Sequence, residues 1–474
     1  MTEETQKLYA NREPIFPKQV KGKFRTLKWW LMGLTLGVYY LVPWIRWDRG
    51  PNLPDQAVLI DMANRRFFFF WIEIWPHEFY FIAGLLIMAG LGLFLFTSAL
   101  GRVWCGYACP QTVWTDLFIL VERWIEGDRN ARIRLWKQKY NLRKWRLNIT
   151  KWLVWLLIAM GTGGAWVFYF ADAPTLLVDI FTGQAAFIAY ASIAVLTATT
   201  FIFGGFMREQ ICTYACPWPR IQAAMMDEET LTVGYREWRG EPRGKLQKDN
   251  VDNDIGDCID CMACVNVCPV GIDIREGQQL ECITCALCID ACDDIMTKIG
   301  KPRGLIDYLA FTDEPAERAG GAPRPIWKHV LRPRTIMYTA LWSTVGLALM
   351  VALFIRTDMD IKVSPVRNPT FITLSDGSVR NVYDIRLRNM QGNDREFMLS
   401  LSADYRLSTE IQGLDGLTVT ASADEITALR VYLTSAPESA ASALDEISVR
   451  IWLEDIDSGA RAYADTVFNG TGEN

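Results

Sequence analysis

The stretch CIDCMACVNVCP, Cys258 to Pro269, spaces four cysteines as C-x2-C-x2-C-x3-C, and CITCALCIDAC, Cys282 to Cys292, repeats the spacing. An iron–sulfur cube needs four thiolates on one small cluster. In a two-cluster ferredoxin each tight loop gives three, and its fourth cysteine crosses to the other cluster. One [4Fe–4S] cluster should therefore take Cys258, Cys261, Cys264 and Cys292. The other should take Cys282, Cys285, Cys288 and Cys268. A pair of zinc sites is the alternative, but zinc usually shows paired C-x2-C at longer separation. The runs differ in one respect: Pro269 follows Cys268, whereas Asp293 follows Cys292.

Outward from this module the chain changes character. Half of the 474 residues are hydrophobic, with 19 Trp and 23 Phe, which suits a membrane protein with soluble parts. After Arg356 there are 10 basic and 19 acidic residues, near −9, which leaves about +4 for everything before. Nothing suggests nucleic acid. With only two histidines, a bis-His haem, a His-rich copper site and a His-centred triad are all short of ligands. No cleavable signal peptide is read, because the N-terminus stays polar through Lys28.

Five stretches have the length and apolarity of membrane spans, roughly Leu27–Ile45, Phe79–Leu100, Trp152–Phe170, Ala185–Phe206 and Thr335–Ile355. The run FFFFWIEIW, Phe67 to Trp75, is too short to span and reads as interfacial or re-entrant. Within 121–151, between spans two and three, lie ten Arg or Lys against three acids; 171–184, between spans three and four, holds no Arg or Lys. The positive-inside rule makes the first loop cytoplasmic and faces its basic residues to anionic lipid. The predicted layout is a cytoplasmic segment 1–26, a four-span domain 27–206, a cytoplasmic ferredoxin-like domain 207–334, a fifth span 335–356 and an outside domain 357–474. In that tail apolar residues alternate at Tyr383, Ile385, Leu387; at Phe397, Leu399, Leu401; at Leu429, Val431, Leu433; and at Ile447, Val449, Ile451, Leu453. With turn signals at 375–377, 391–394 and 414–416, this reads as an antiparallel β-sandwich.

Four cysteines remain. GRVWCGYACPQTVWTD holds Cys105 and Cys109, and QICTYACPWPR holds Cys212 and Cys216. Each pair is four apart, facing one way on a helix, with a proline directly after the second. Pro disfavours helix in the residue before it and suits the first position of a new one. The span should break at Cys109, and Pro110 should open a surface helix. Cys109 and Cys216 then sit near helix N-termini, with Arg102 and Arg208 also favouring thiolate. Such soft thiolates suit Cu(I), thiol redox chemistry, or a position beside the clusters without binding anything. The duplication suggests related halves that bring four thiols together beneath the ferredoxin module. GTGGAW, 161–166, lies within a span and reads as close helix packing.

GRVWCGYACPQTVWTD, RGPNLPDQAVLIDMANRRFFFF (49–70), the two-cluster ferredoxin and the β tail, in this order, resemble the cytochrome c oxidase accessory proteins of the CcoG (FixG/RdxA) family. The resemblance implies a multi-pass protein of the bacterial inner membrane with a periplasmic immunoglobulin-like tail. It implies reduction of Cu(II) to Cu(I) during assembly of cbb3-type cytochrome c oxidase. Copper would be substrate or bound ion, with Cys105, Cys109, Cys212 and Cys216 as its catalytic ligands. Partners would be copper, oxidase assembly factors or a copper transporter, and a cytoplasmic electron donor or quinol; a homodimer stays open. Two other readings compete. One is a quinol-oxidising relay, as in the CxxxCP proteins of nitrate respiration, which lack the long β tail. The other is a non-enzymatic copper-binding scaffold.

Overall fold

The computed structural model describes residues 14–50, 53–245, 255–356, 359–390, 393–423 and 425–472. Residues 1–13 of the expected N-terminal segment and 391–392 of one expected turn lie outside the described residues. The chain forms two compact units, Met1–Ile45 with Gln56–Leu349, and Arg46–Asp55 with Met350–Asn474.

The first unit contains α1 (Lys23–Leu41), α2 (Tyr80–Leu100), α3 (Val103–Tyr107), α4 (Pro110–Glu126), α5 (Leu142–Val167), α6 (Phe187–Ala215), α7 (Trp218–Met225), α8 (Ala263–Val267) and α9 (Leu287–Lys298), with α10 (Pro333–Ile355) at its end. All five expected spans are helical. Three are long and apolar enough to cross a membrane: Pro76–Leu100, which includes α2, together with α6 and α10. The opening turns of α1 and α5 carry Lys23, Arg25 and Lys28, and Arg143, Lys144, Arg146 and Lys151, which shorten their apolar stretches. Helix contact depends on small residues. A side chain on Gly163 of α5 would come within 2.8 Å of the Ile193 carbonyl in α6, so GTGGAW is the expected packing patch.

Two expectations change, and the run read as interfacial or re-entrant, FFFFWIEIW, takes strand form. It forms β2 (Arg66–Phe69) and β3 (Ile72–Ile74) of a three-stranded antiparallel sheet with β1 (Val58–Asp61). Aromatic and β-branched residues favour strand, and Phe70 makes the turn at φ 53°. Helix α4 does open at Pro110, but it is internal. Phe118 stacks on Trp155 with centroids 5.3 Å apart, and Asp116 accepts from Arg25 Nη1 at 2.9 Å. The basic loop is also partly internal. Arg132 pairs with Glu122, Lys151 Nζ lies 2.6 Å from Glu126, and Lys144 donates to two carbonyls.

The ferredoxin fold packs α8 against α9, beside β4 (Thr232–Tyr235) paired antiparallel with β5 (Ile306–Leu309). It grips the start of α1. The amides of Phe24 and Arg25 donate to the Asp290 carboxylate at 3.3 and 2.7 Å, so a side chain from α9 caps α1. Gly22 permits this, since a Cβ there would lie 2.2 Å from the Asp290 carboxyl carbon.

In the second unit, β6 (Met359–Pro365), β7 (Ile372–Thr373), β8 (Val379–Asn389), β10 (Leu407–Ile411) and β12 (Ile426–Ser435) form one sheet. The other is β11 (Thr418–Ala421), β9 (Arg395–Ala403), β13 (Glu446–Asp455) and β14 (Arg461–Asn469). Every pairing is antiparallel, and the core between the sheets is the alternating set expected from sequence, including Tyr383, Ile385, Leu387, Phe397, Val431 and Leu453. The Tyr383 hydroxyl donates to the Val467 carbonyl at 2.8 Å, from β8 across to β14.

Candidate functional site

Both ferredoxin loops are built alike. Asp260 and Met262 have φ of 52° and 57°; the matching Thr284 and Ala286 have 53° and 58°. These four non-glycine residues in left-handed conformation curl each loop and then start α8 and α9. The curl brings backbone N–H groups near sulfur, those of Val265 by Cys264, of Val270 and Ile272 by Cys268 and of Thr284 by Cys282, where they favour the thiolate.

The cysteines gather across the two runs. Cys292 lies beside Cys264, Cys261 and Cys258, whereas Cys268 lies beside Cys285 and Cys282. One hollow is lined by Cys264, Cys268, Cys282, Cys285 and Cys288. Burial pushes the Cys264 and Cys282 thiols up to about 11 and those of Cys268 and Cys292 up to about 12. Thiols so buried ionise when a metal centre replaces their protons. The donor set fits two clusters. Among the described residues no three His, Cys, Asp or Glu side chains close on a single metal ion. Cys261 is exposed and Cys258 and Cys264 are buried, so solvent reaches the first set at one thiol.

Arg102, Gly106 and Tyr107 join this module to the first CxxxCP pair. A side chain on Gly106 would lie 2.6 Å from the Ile283 carbonyl and 3.0 Å from the Cys285 Cα. Tyr107 donates to the Cys285 carbonyl at 3.1 Å, and Arg102 donates to the Leu280 carbonyl. Cys105 packs into the apolar cluster of Ile283, Cys285 and Leu287. The second copy is different. Thr213 stands where the first has Gly106, and Tyr214 is 69 % exposed where Tyr107 is 4 %.

The two copies are nevertheless cross-braced. The Cys105 thiol donates to Gln222 Oε1 of α7 at 3.1 Å. In return, Gln111 Nε2 donates to the Phe203 and Arg208 carbonyls at 2.9 and 3.2 Å. Those carbonyls lie in or beside the wide turns of α6, Phe201–Met207 and Ile211–Ala215, whose i→i+5 pattern alters the ordinary ladder. Cys212 has Cys105, Cys109 and Cys216 as neighbours, and Cys105 has Cys109 and Cys216. The structure thus brings all four thiols into one region, beside a small cavity lined by Cys212, Thr112, Pro269 and Ile283.

At Cys105 the surroundings do not favour a thiolate. Burial pushes the Cys105 thiol up, and the nearby Arg102 guanidinium only partly offsets it. Arg208 does not serve the thiols: its Nη2 lies 2.5 Å from the buried Glu122 carboxylate. Cys109 caps α4, as the proline predicts, while Cys216 ends α6 and Pro217 caps α7. Gly106, Tyr107, Gln111, Gln222 and Asp290 were not singled out by motif spacing. The differences between the two copies, Gly106 against Thr213 above all, were the available signal.

Residues 207–310 match a family described as a 4Fe-4S dicluster domain, 81–128 one described as a 4Fe-4S binding domain, and 349–471 one described as an IG-like fold at the C-terminal of FixG. Protein RdxB of Cereibacter sphaeroides is 68 % identical over 470 residues, 99 % of this chain and 98 % of that protein. The chain belongs to the FixG/RdxA family. Protein RdxA of the same organism is 63 % identical, covering 94 % of each chain. The nitrogen fixation protein FixG of Rhizobium meliloti is 52 % identical over 90 % of this chain and 87 % of its own. A crystal structure of a FixG-related protein from Vibrio parahaemolyticus aligns with 24 % of this chain and 99 % of its own, at TM-score 0.22 and 18 % identity. As a FixG/RdxA protein, this chain is an iron–sulfur electron-transfer oxidoreductase associated with a membrane.

Proposed function

We propose that the protein passes electrons through two [4Fe–4S] clusters to copper at Cys105, Cys109, Cys212 and Cys216, reducing Cu(II) to Cu(I). The observation that supports this is the seating of Cys105 on the Ile283–Leu287 loop, permitted by Gly106. Each bound cluster supplies a one-electron store, held by Cys258, Cys261, Cys264 and Cys292 or by Cys268, Cys282, Cys285 and Cys288. Tyr107 fixes the distance between loop and thiol pair. Gln222 orients the Cys105 thiol, whose proton leaves when copper binds. One electron converts one Cu(II) to Cu(I), the state that soft thiolates prefer. The ferredoxin fold and N-terminus would be cytoplasmic and the tail periplasmic. The Cu(I) would serve the copper centre of a cbb3-type oxidase through assembly factors or a transporter, with the acidic tail as docking surface. A homodimer is compatible with this role.

The test is anaerobic. Dithionite-reduced protein, freed of excess reductant, receives stoichiometric Cu(II) while cluster absorbance and a Cu(I)-specific chelator are followed. Cluster reoxidation matched by Cu(I), and lost when all four CxxxCP cysteines become serine, is the expected result. Equal reduction by that variant would remove the thiols from the reaction. A second reading has its own support, because the match to a 4Fe-4S binding domain spans Cys105 and Cys109. Iron and sulfide in excess of two clusters, lost in the same variant, would favour it.

A further inference from the structure

A cavity of about 990 Å³ lies where the ferredoxin fold meets the ends of α1 and α2. Leu27 and Leu31 of α1, Phe96 and Leu100 of α2, and Trp104 and Trp327 supply apolar walls. It therefore opens at the end of a helix apolar enough to cross a membrane, beside indoles of the kind that favour the lipid–water boundary. One wall is made by Tyr107 and by Tyr308 of β5. The Tyr107 hydroxyl donates to the Cys285 carbonyl at 3.1 Å and the Tyr308 hydroxyl to the Thr284 carbonyl at 3.4 Å, both in the cluster loop. Another part is lined by His329, which is 1 % exposed. Its Nε2 meets Asp313 Oδ2 at 2.8 Å, while its buried Nδ1 has no hydrogen-bond partner among the described residues. Asp313 in turn takes Arg324 Nε at 2.5 Å, and Arg324 reaches solvent.

We infer that this cavity binds a quinol and that the quinol is the electron donor. The proposal deepens the proposed function and rests on it only for the two clusters. The lining selects a lipid-soluble carrier over a nucleotide. Its walls are mostly apolar, and its arginines already face carboxylates, Arg236 on Glu317 and Arg324 on Asp313. A cavity of this size with a few convergent polar groups is what a small-molecule site requires. One quinol loses two O–H protons and two electrons to become quinone. The electrons leave past Tyr107 and Tyr308, and each of the two oxidised clusters gains one. The protons pass in turn to His329 Nδ1, the resulting imidazolium being paired with Asp313, and out to water beside Arg324.

The test uses the full-length protein with clusters intact, in nanodiscs. An azidoquinone should photolabel the 103–108 and 326–329 segments and be displaced by unlabelled decylubiquinone. Dithionite-reduced clusters should be reoxidised by decylubiquinone, the same transfer run in reverse. His329→Gln should slow that reaction on the order of a hundredfold, as loss of a proton-transfer group does. Ferricyanide, which needs no site, should reoxidise the variant at the wild-type rate. Val103→Trp, which fills the cavity, should abolish labelling with iron content unchanged. Labelling spread over α2 and α10 without competition, quinone rates unchanged in both variants, or a co-purified phospholipid that quinone does not displace would each overturn the proposal. Copper takes no part in these assays. Wild-type protein that reacts with quinone but not with Cu(II) would overturn the cupric reading and leave this one standing.

Discussion

Gly106 is the smallest residue on which the proposed function turns. Any side chain there meets a backbone carbonyl 2.6 Å away, and backbone cannot rotate aside as a flexible side chain can. Gly106→Ala should therefore lift α3 from the cluster loop, at a packing cost of about 1–3 kcal/mol. The expected outcome in stopped flow is slower copper reduction by prereduced protein, with iron content retained; an unchanged rate would break the link between contact and transfer. A second residue-scale prediction concerns Met262, held at φ 57°. A non-glycine residue in this region costs roughly 1–2 kcal/mol, and a β-branched one more. Met262→Ile should hasten iron loss to a chelator, whereas Met262→Gly should not. The spacing of the eight cysteines made the iron–sulfur domain legible in advance. It gave no hint of these strained neighbours, because a chain need only curl this way once thiols must face inward.

At the scale of elements, legibility followed the strength of the local pattern. The tail strands were readable because strict alternation at Tyr383–Leu387 or Ile447–Leu453 fits only a half-buried strand. Helix α4 was read with the right start and the wrong surroundings. Proline fixes where a helix begins, but local sequence does not reveal that Arg25 and Lys28 will arrive to pair with Asp116. The cap on α1 was invisible for the same reason, since Asp290 is distant in sequence. Asp290→Ala should raise amide hydrogen exchange in residues 24–26, consistent with the loss of about 1 kcal/mol typical of a cap; unchanged exchange there would deny the cap. The α2–α10 junction yields a pH prediction. Burial raises the Asp227 pKa, but Arg332, Arg334 and Thr230 outweigh it and hold the carboxyl down at about 2. A lowered folded pKa gives stability that is full above the unfolded value, near 3.9, and is lost as pH falls through the folded one. Exchange at residues 332–335 should thus be flat from pH 8 to 5 in this contribution and rise only below about 4. Loosening between pH 7 and 6 would need another group.

For the whole molecule, the sequence suggests two related halves, yet the matching residues do different work. Tyr107 is buried on the cluster loop and Tyr214 is exposed, so the electron route would enter the thiol group through the first copy alone. The Cys105→Ser/Cys109→Ser pair should then impair transfer from clusters more than the Cys212→Ser/Cys216→Ser pair does. The division into two compact units carries a further consequence. Every element of the tail's core lies within Met359–Asn469, and that core contains no cysteine or cluster ligand. Residues 350–474 should accordingly fold alone, without iron, in one cooperative thermal transition by circular dichroism. Leu453 is fully buried between the sheets, and Leu453→Ala should lower stability by about 2–5 kcal/mol. Tyr383→Phe, which removes one hydrogen bond between the sheets, should cost only about 1 kcal/mol. If the isolated tail is unfolded, or needs the cluster-bearing unit to fold, the tail's own core does not suffice.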